Sequence, residues 1–285
     1  MNRKEAEKMI EKYQQLADRF IKKSEIAGER YVDTSYSKIR VLEYGFDDPE
    51  EKPLFVDIHG GGWALMAPEF DEEMNLRILE KANVKIISMD YPRAPQNPFP
   101  EGMEATYEVI KHYADNAKEY GIDPDNIGVG GYSSGGNFAT VACFMAKERG
   151  DFNIKYQFLG YPGTDAAGDP YKKPKCTEGL TNELIEALVL CYLPDKEKAT
   201  SPYASPVYAS KELLTGLPPA LLILAGKGDP LNPEGRLYGK KLEEAGVPLE
   251  LYEFRGTLHG FMQEDNPDAE EAIRIMTDFI RSKTQ

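Results

Sequence analysis

From about residue 30 onward, short runs of apolar, β-forming residues alternate with longer runs in which apolar positions recur every three or four residues. The short runs predict strands at 37–42, 54–58, 84–89, 127–130, 156–159, 220–224 and 249–254. The longer runs predict helices at 70–82, 104–120, 137–149, 233–245 and 267–281. Several strands are apolar at successive positions, as in Leu221-Leu222-Ile223-Leu224. Such a strand has no solvent face and suits a sheet covered by helices on both sides. The alternation therefore predicts an α/β fold with a mostly parallel central sheet flanked by helices.

Two regions depart from this rhythm. Residues 4–23 place Met9, Ile10, Tyr13, Leu16, Ala17, Phe20 and Ile21 at helical spacing, predicting an amphipathic helix. Such a helix either packs on the body or forms part of a lid. Between Tyr161 and Pro219 the chain holds seven prolines and one helical run at 181–192. That stretch is too long for a plain crossover between strands. We read it as an insertion forming a small helical cap. The organisation expected is one domain over 1–285, with cap elements at about 1–30 and about 163–216.

Composition narrows the function. A chain of 285 residues with 41% apolar content can bury a sizeable core. Its net charge of -14 repels phosphate backbones and anionic lipid, which argues against nucleic-acid or membrane partners. Cys143, Cys176 and Cys191 lack the number and spacing of a disulfide framework or a zinc site. The first residues run into a charged stretch without the apolar core of a signal peptide, and no run of eighteen apolar residues occurs. A cytoplasmic location is the resulting expectation.

The chemistry is concentrated in Gly131-Tyr132-Ser133-Ser134-Gly135, a G-x-S-x-G motif with a predicted strand before it and a helix after it. A serine hydroxyl is a weak nucleophile at neutral pH and must be aimed by a tight turn and deprotonated by a base. Glycines stand two residues to either side of Ser133, whereas Tyr132 stands two residues before Ser134, so Ser133 is the candidate nucleophile. Three histidines could supply the base. His112 lies within a predicted surface helix and reads as a solvated residue. His59 opens a glycine run and reads as a residue that holds that loop. His259 follows the last predicted strand, where carboxyl-end groups of a parallel sheet converge on one rim. Asp229 follows the strand at 220–224 and is the candidate acid that orients His259. Glu264 and Asp265 are alternatives, but they follow His259 and break the Ser…Asp…His order.

His59-Gly60-Gly61-Gly62 follows the strand at 54–58. Glycines let backbone N–H groups approach a ligand, and such donors stabilise an oxyanion by about 3 kcal/mol each. The expected donors are Gly60 or Gly61, together with the amide of Ser134. No G-K-[ST] or G-x-G-x-x-G signature supports a phosphate-binding reading. Trp63, Tyr132 and Phe261 are the candidates for contact with substrate, although core packing is an equally simple role for Trp63.

With these residues in place, the chain resembles the hormone-sensitive-lipase-like (family IV) bacterial esterases of the α/β-hydrolase fold. The resemblance covers roughly residues 35–283. It rests on His59-Gly60-Gly61-Gly62-Trp63, Asp90-Tyr91-Pro92-Arg93-Ala94-Pro95 with Pro98-Phe99-Pro100, Gly131-Tyr132-Ser133-Ser134-Gly135-Gly136-Asn137, Asp229-Pro230-Leu231 and His259-Gly260-Phe261. It implies a Ser133–Asp229–His259 triad, an oxyanion hole of Gly60, Gly61 and Ser134, and a cap built from the N-terminal helix and the insertion. Two positions depart from the usual family form: Tyr132 stands where Asp precedes the nucleophile, and Ser134 where Ala follows it.

The function expected is a serine carboxylesterase acting on a small-molecule, short-chain (acetyl-like) ester through an acyl-enzyme, with no cofactor and no metal. The rival readings are an amidase or arylformamidase-like hydrolase using the same machinery, and a non-catalytic small-ligand receptor on this fold. A homodimer paired through an edge strand is compatible with the sequence.

Overall fold

The computed structural model describes residues 1–226 and 228–284; Lys227 and Gln285 lie outside the described residues. Eight strands form one sheet: β1 (Gly28–Asp33), β2 (Lys38–Tyr44), β3 (Lys52–Ile58), β4 (Lys85–Met89), β5 (Ile122–Tyr132), β6 (Tyr156–Gly160), β7 (Ala220–Leu224) and β8 (Leu249–Glu253). Their order is β1-β2-β4-β3-β5-β6-β7-β8. The β1–β2 and β2–β4 pairs are antiparallel, and every pair from β4 onward is parallel. All seven strands expected from the apolar runs occur. β1 was not expected, because it is an edge strand whose only buried residue is Val32, so it carries no apolar run.

Nine helices are found among the described residues: α1 (Arg3–Ala17), α2 (Glu72–Lys81), α3 (Glu101–Asp115), α4 (Ala117–Tyr120), α5 (Ser134–Arg149), α6 (Asn182–Tyr192), α7 (Lys211–Leu214), α8 (Asn232–Glu244) and α9 (Pro267–Lys283). Period-two side-chain alternation divides the core between the two sheet faces. Leu54, Val56, Leu222 and Leu224 share one apolar cluster with residues of α3, α5 and α8. Phe55, Leu221 and Ile223 share the other with residues of α2 and α9. The helix expected at 104–120 is broken at Asn116, whose side-chain amide donates to the His112 carbonyl at 2.8 Å.

The N-terminal helix differs from the expectation in extent and in buried face. It ends at Ala17, followed by a 3₁₀ turn at Asp18–Phe20, and only Ala6 and Ile10 are buried. Tyr13, Leu16 and Phe20 are exposed. The reason is its neighbour: α1 packs on α6, more than 160 residues away, rather than along the sheet. The Met1 amine pairs with Glu186 of α6 at 2.8 Å. The Gln14 side-chain amide donates to the Ala64 and Ala94 carbonyls at 2.8 and 2.9 Å, fixing α1 to the loops beyond β3 and β4. No helix among the described residues is long and apolar enough to cross a membrane.

The centre of the sheet has little spare volume. A Cβ placed on Gly128 of β5 would lie 2.0 Å from Cζ of Tyr156, a fully buried ring stacked on Phe55. We predict that Gly128→Ala destabilises the fold by about 1–3 kcal/mol, as overpacked cores do. Urea unfolding checks this; an unchanged midpoint would show that the ring can yield.

Candidate active site

The candidate residues lie on loops at the carboxyl ends of β3, β5, β7 and β8, where a parallel sheet gathers its functional groups. Ser133 joins β5 to α5 with φ 56° and ψ -116°, a left-handed conformation that strains a non-glycine residue. The turn is held from both sides. Ser133 N–H donates to the Gly160 carbonyl at 2.8 Å, and its own carbonyl accepts from the amides of Gly163 and Asn137 at 3.0 and 3.2 Å. Close packing requires the flanking glycines: a Cβ on Gly131 or Gly135 would lie 2.3 or 1.8 Å from the Ile58 carbonyl oxygen.

His259 Nε2 lies 2.9 Å from Ser133 Oγ, and His259 Nδ1 lies 3.1 and 3.0 Å from the two oxygens of Asp229. Asp229 is fully buried, and one of its oxygens also accepts the Leu231 amide at 2.9 Å. The carboxylate accepts a hydrogen bond from Nδ1–H, which leaves the Nε2 lone pair free to accept from Ser133 Oγ–H. Gly226 N–H donates to the Thr257 carbonyl at 3.0 Å, tying the loop that carries Asp229 to the one that carries His259. Such a line can deprotonate a hydroxyl and return the proton to a leaving group.

Opposite Ser133 runs the glycine loop after β3. Gly61 has φ 107°, and a Cβ there would lie 2.2 Å from the Leu65 carbonyl oxygen, so the turn is reserved for glycine. Among the described residues the amides of Gly60 and Gly61 donate no hydrogen bond within the protein. The Gly60 carbonyl faces the other way: it lies 2.7 Å from His59 Nδ1 and accepts from Tyr91 Oη at 3.2 Å. His59 is buried and stacked on Tyr91, with ring centroids 4.2 Å apart. Burial, with a smaller contribution from Arg93 and Arg40, pushes its imidazole down to about 3, so it stays neutral and donates from Nδ1. His59 lies in the loop support and makes no contact with Ser133.

Two adjoining cavities open at Ser133. The smaller, about 30 Å³, is lined by Trp63, Ser134, Ile185, Leu188 and Leu231 and ends at Lys173 and Glu234. The larger, about 440 Å³, is lined by Gly60, Gly61, Met66, Phe70, Tyr161 and His259 among others. Gly62, Leu180 and Leu188 belong to both and form the partition. Lys173 and Glu234 form a buried ion pair between the stretch after β6 and α8, and Glu234 also accepts the amides of Thr164 and Asp165 at 2.7 and 2.9 Å. Burial pushes the Glu234 carboxyl up to about 7 even with Lys173 beside it. Removing one partner of such a pair costs about 3–5 kcal/mol. A surface depression of about 930 Å³ between α2 and α9 holds none of these residues.

Not every candidate meets the cavity as expected. Trp63 does: it lines the smaller cavity and stacks on Tyr192 of α6 at 4.4 Å. Tyr132 also lines the larger cavity, while its side chain reaches into the core, with Oη 3.2 Å from Met276 Sδ and its ring against Phe158. Phe261 is corrected. It is fully buried against Phe254 and Tyr161 in the core beneath the His259 loop. His112 is half-buried rather than solvated, with Nε2 2.9 Å from Tyr120 Oη. Glu264 and Asp265 make no contact with His259 among the hydrogen bonds found. Tyr161 was not singled out. It has φ 33°, its ring meets the His259 ring edge-on at 5.0 Å, and its hydroxyl donates to Gln263 Oε1 at 2.7 Å. No local motif marks it; its place after an apolar strand was the one signal.

The α/β-hydrolase-fold family model matches residues 55–263. The chain is 32% identical to carboxylesterase NlhH of Mycobacterium tuberculosis over 216 residues, 74% of this chain and 66% of NlhH. It is 34% identical to carboxylic ester hydrolase LipN of the same organism over 218 residues, 74% of this chain and 57% of LipN. It thus spans less than two thirds of the length of these curated relatives. The crystal structure of EstE1, a thermostable carboxylesterase cloned from a metagenomic library, superposes with a TM-score of 0.85 at 29% identity, covering 100% of this chain and 98% of EstE1. The chain belongs to the α/β-hydrolase-fold family.

The neutral, buried His59 has a consequence for acid stability. Its folded pKa is depressed below the unfolded value of about 6.5, so its contribution is present above that pH and is lost as pH falls toward 3. Asp57, pushed up to about 6 by burial, works in the opposite sense between about 3.8 and 6. We predict that His59→Asn lessens the loss of unfolding free energy between pH 6.5 and 4 by up to about 3 kcal/mol. Urea titrations at both pH values check this; equal losses in the two proteins would show that His59 is not held neutral.

Proposed function

We propose that this member of the α/β-hydrolase family is a serine carboxylesterase that cleaves short-chain, acetyl-like esters through an acyl-enzyme. The observation that carries the proposal is the unbroken line from Ser133 Oγ through His259 to buried Asp229, facing free backbone amides across a cavity. In this mechanism Ser133 Oγ attacks the ester carbonyl as His259 Nε2 takes its proton. The oxyanion is received by the amides of Gly60, Gly61 and Ser134, preorganised donors that act where charge develops. His259 then passes its proton to the departing alcohol. Water, deprotonated by the same nitrogen, releases the acid and restores Ser133.

The names of NlhH, LipN and EstE1 support ester chemistry in this family. The short-chain preference rests on the smaller cavity. At about 30 Å³ it accommodates roughly a one- or two-carbon tail, and a longer chain would have to displace Trp63 or the Lys173–Glu234 pair. A non-catalytic receptor role would leave the complete line without a purpose. Three cysteines, all unpaired and buried, fit a reducing cytoplasm.

The test is turnover of p-nitrophenyl esters from acetate to palmitate, with the matching acetanilide beside the acetate. Fastest cleavage is expected from acetate to butyrate, and Ser133→Ala should lower kcat by about 10⁴-fold or more while leaving the fold intact. Substantial turnover in the variant would refute the nucleophile, a maximum on long chains would refute the short-chain preference, and faster cleavage of the anilide would make the protein an amidase.

A further inference from the structure

The two cavities at Ser133 are unequal in size and also unequal in their relation to the proton donor. A tetrahedral intermediate on Ser133 Oγ has three other substituents: the oxyanion, the acyl tail and the leaving oxygen. The leaving oxygen must be the one that His259 Nε2 can reach, since that nitrogen holds the proton it needs. His259 and Gly260 line the larger cavity and are absent from the smaller. The smaller is lined instead by Ser134, whose amide follows the nucleophile, and by Trp63. Once the oxyanion lies against Gly60, Gly61 and Ser134, the acyl tail is directed into about 30 Å³ and the alcohol into about 440 Å³.

The larger chamber is mainly apolar, with Leu65, Met66, Phe70, Leu184 and Leu188 on its walls. Leu188 of α6 forms the partition in a specific way. A Cβ on Gly62 would lie 2.4 Å from Leu188 Cδ1, so the leucine occupies the space left open by the glycine and touches both cavities.

We propose that the substrates are acetate-type esters of bulky, mainly apolar alcohols, and that Leu188 is the specificity-determining residue that keeps longer acyl tails out. The proposal rests on the esterase reading and adds the direction in which the ester sits. It assigns bulk to the alcohol, which a series varied only in its acyl chain cannot reveal.

An isomeric pair tests it. Hexyl acetate and ethyl hexanoate share the formula C8H16O2 and differ in which side of the ester carries the chain, so overall hydrophobicity is nearly constant. Each excess methylene in a tight pocket changes kcat/KM by roughly 10–200-fold, so hexyl acetate should lead by about 100-fold or more. Leu188→Ala should shrink that ratio by about 10-fold or more, chiefly by raising ethyl hexanoate turnover. Leu188→Met, of similar volume, should retain the wild-type ratio. A wild-type ratio near one, or an inverted one, overturns the proposed orientation. An unchanged ratio in a folded Leu188→Ala protein overturns the role of Leu188. Failure to cleave ethyl acetate, p-nitrophenyl acetate or either isomer would instead overturn the esterase reading itself.

Discussion

The contact of the elbow after β5 with the Ile58 carbonyl is the constraint on which the site depends. Gly131 and Gly135 approach that one oxygen so closely that a methyl group on either would lie well inside van der Waals distance. This approach brings the strained Ser133 backbone beside the glycine loop that begins at His59. It also lets α5 start directly at Ser134, whose amide is a first-turn donor without a partner inside the helix. In the proposed mechanism the nucleophile and its oxyanion donors are thereby set by backbone contact, which costs no side-chain ordering when substrate arrives.

Around that contact, buried polar groups hold the loops in place. His59 is kept neutral by burial, and its Nδ1 hydrogen bond together with the Tyr91 hydroxyl fixes the Gly60 carbonyl away from the cavity. That carbonyl and the Gly61 N–H share one peptide plane, so two bonds on the oxygen orient the donor on the other side. Asp229 is solvated by protein alone, through His259 and the Leu231 amide. The four non-glycine residues with positive φ found among the described residues, Trp63, Met66, Ser133 and Tyr161, all line one or other cavity. Strain of this kind, about 1–3 kcal/mol per residue, persists only where surrounding structure over-determines it.

Legibility in the sequence followed the physics of each element. Strands buried on both faces, such as Leu221 to Leu224, show as apolar runs, and the G-x-S-x-G elbow shows because backbone proximity demands glycine at fixed positions. β1 did not show, because an edge strand with one buried residue has no pattern to detect. Phe261 was misread for a related reason. It follows His259 closely along the chain, but the turn between them places it in the core beneath the His259 loop. Tyr161 meets His259 and Gln263 only through the fold, and it carries no local signature.

The specificity of the site was the least legible part, and the reason is structural. The partition at Ser133 is formed by Gly62 from the body and Leu188 from the cap, residues 126 positions apart whose fit depends on the height of α6 above the sheet. That height is set by α1, through the Met1–Glu186 and Gln14 contacts, and by the buried Lys173–Glu234 pair at the opposite margin. A leucine in an amphipathic helix is the commonest of residues, and nothing in its neighbourhood marks it as a wall between two chambers. The machinery of the site is thus written in short motifs because it is backbone chemistry held by local turns. The shape of the cavities at Ser133 is distributed over three chain segments that meet only after folding.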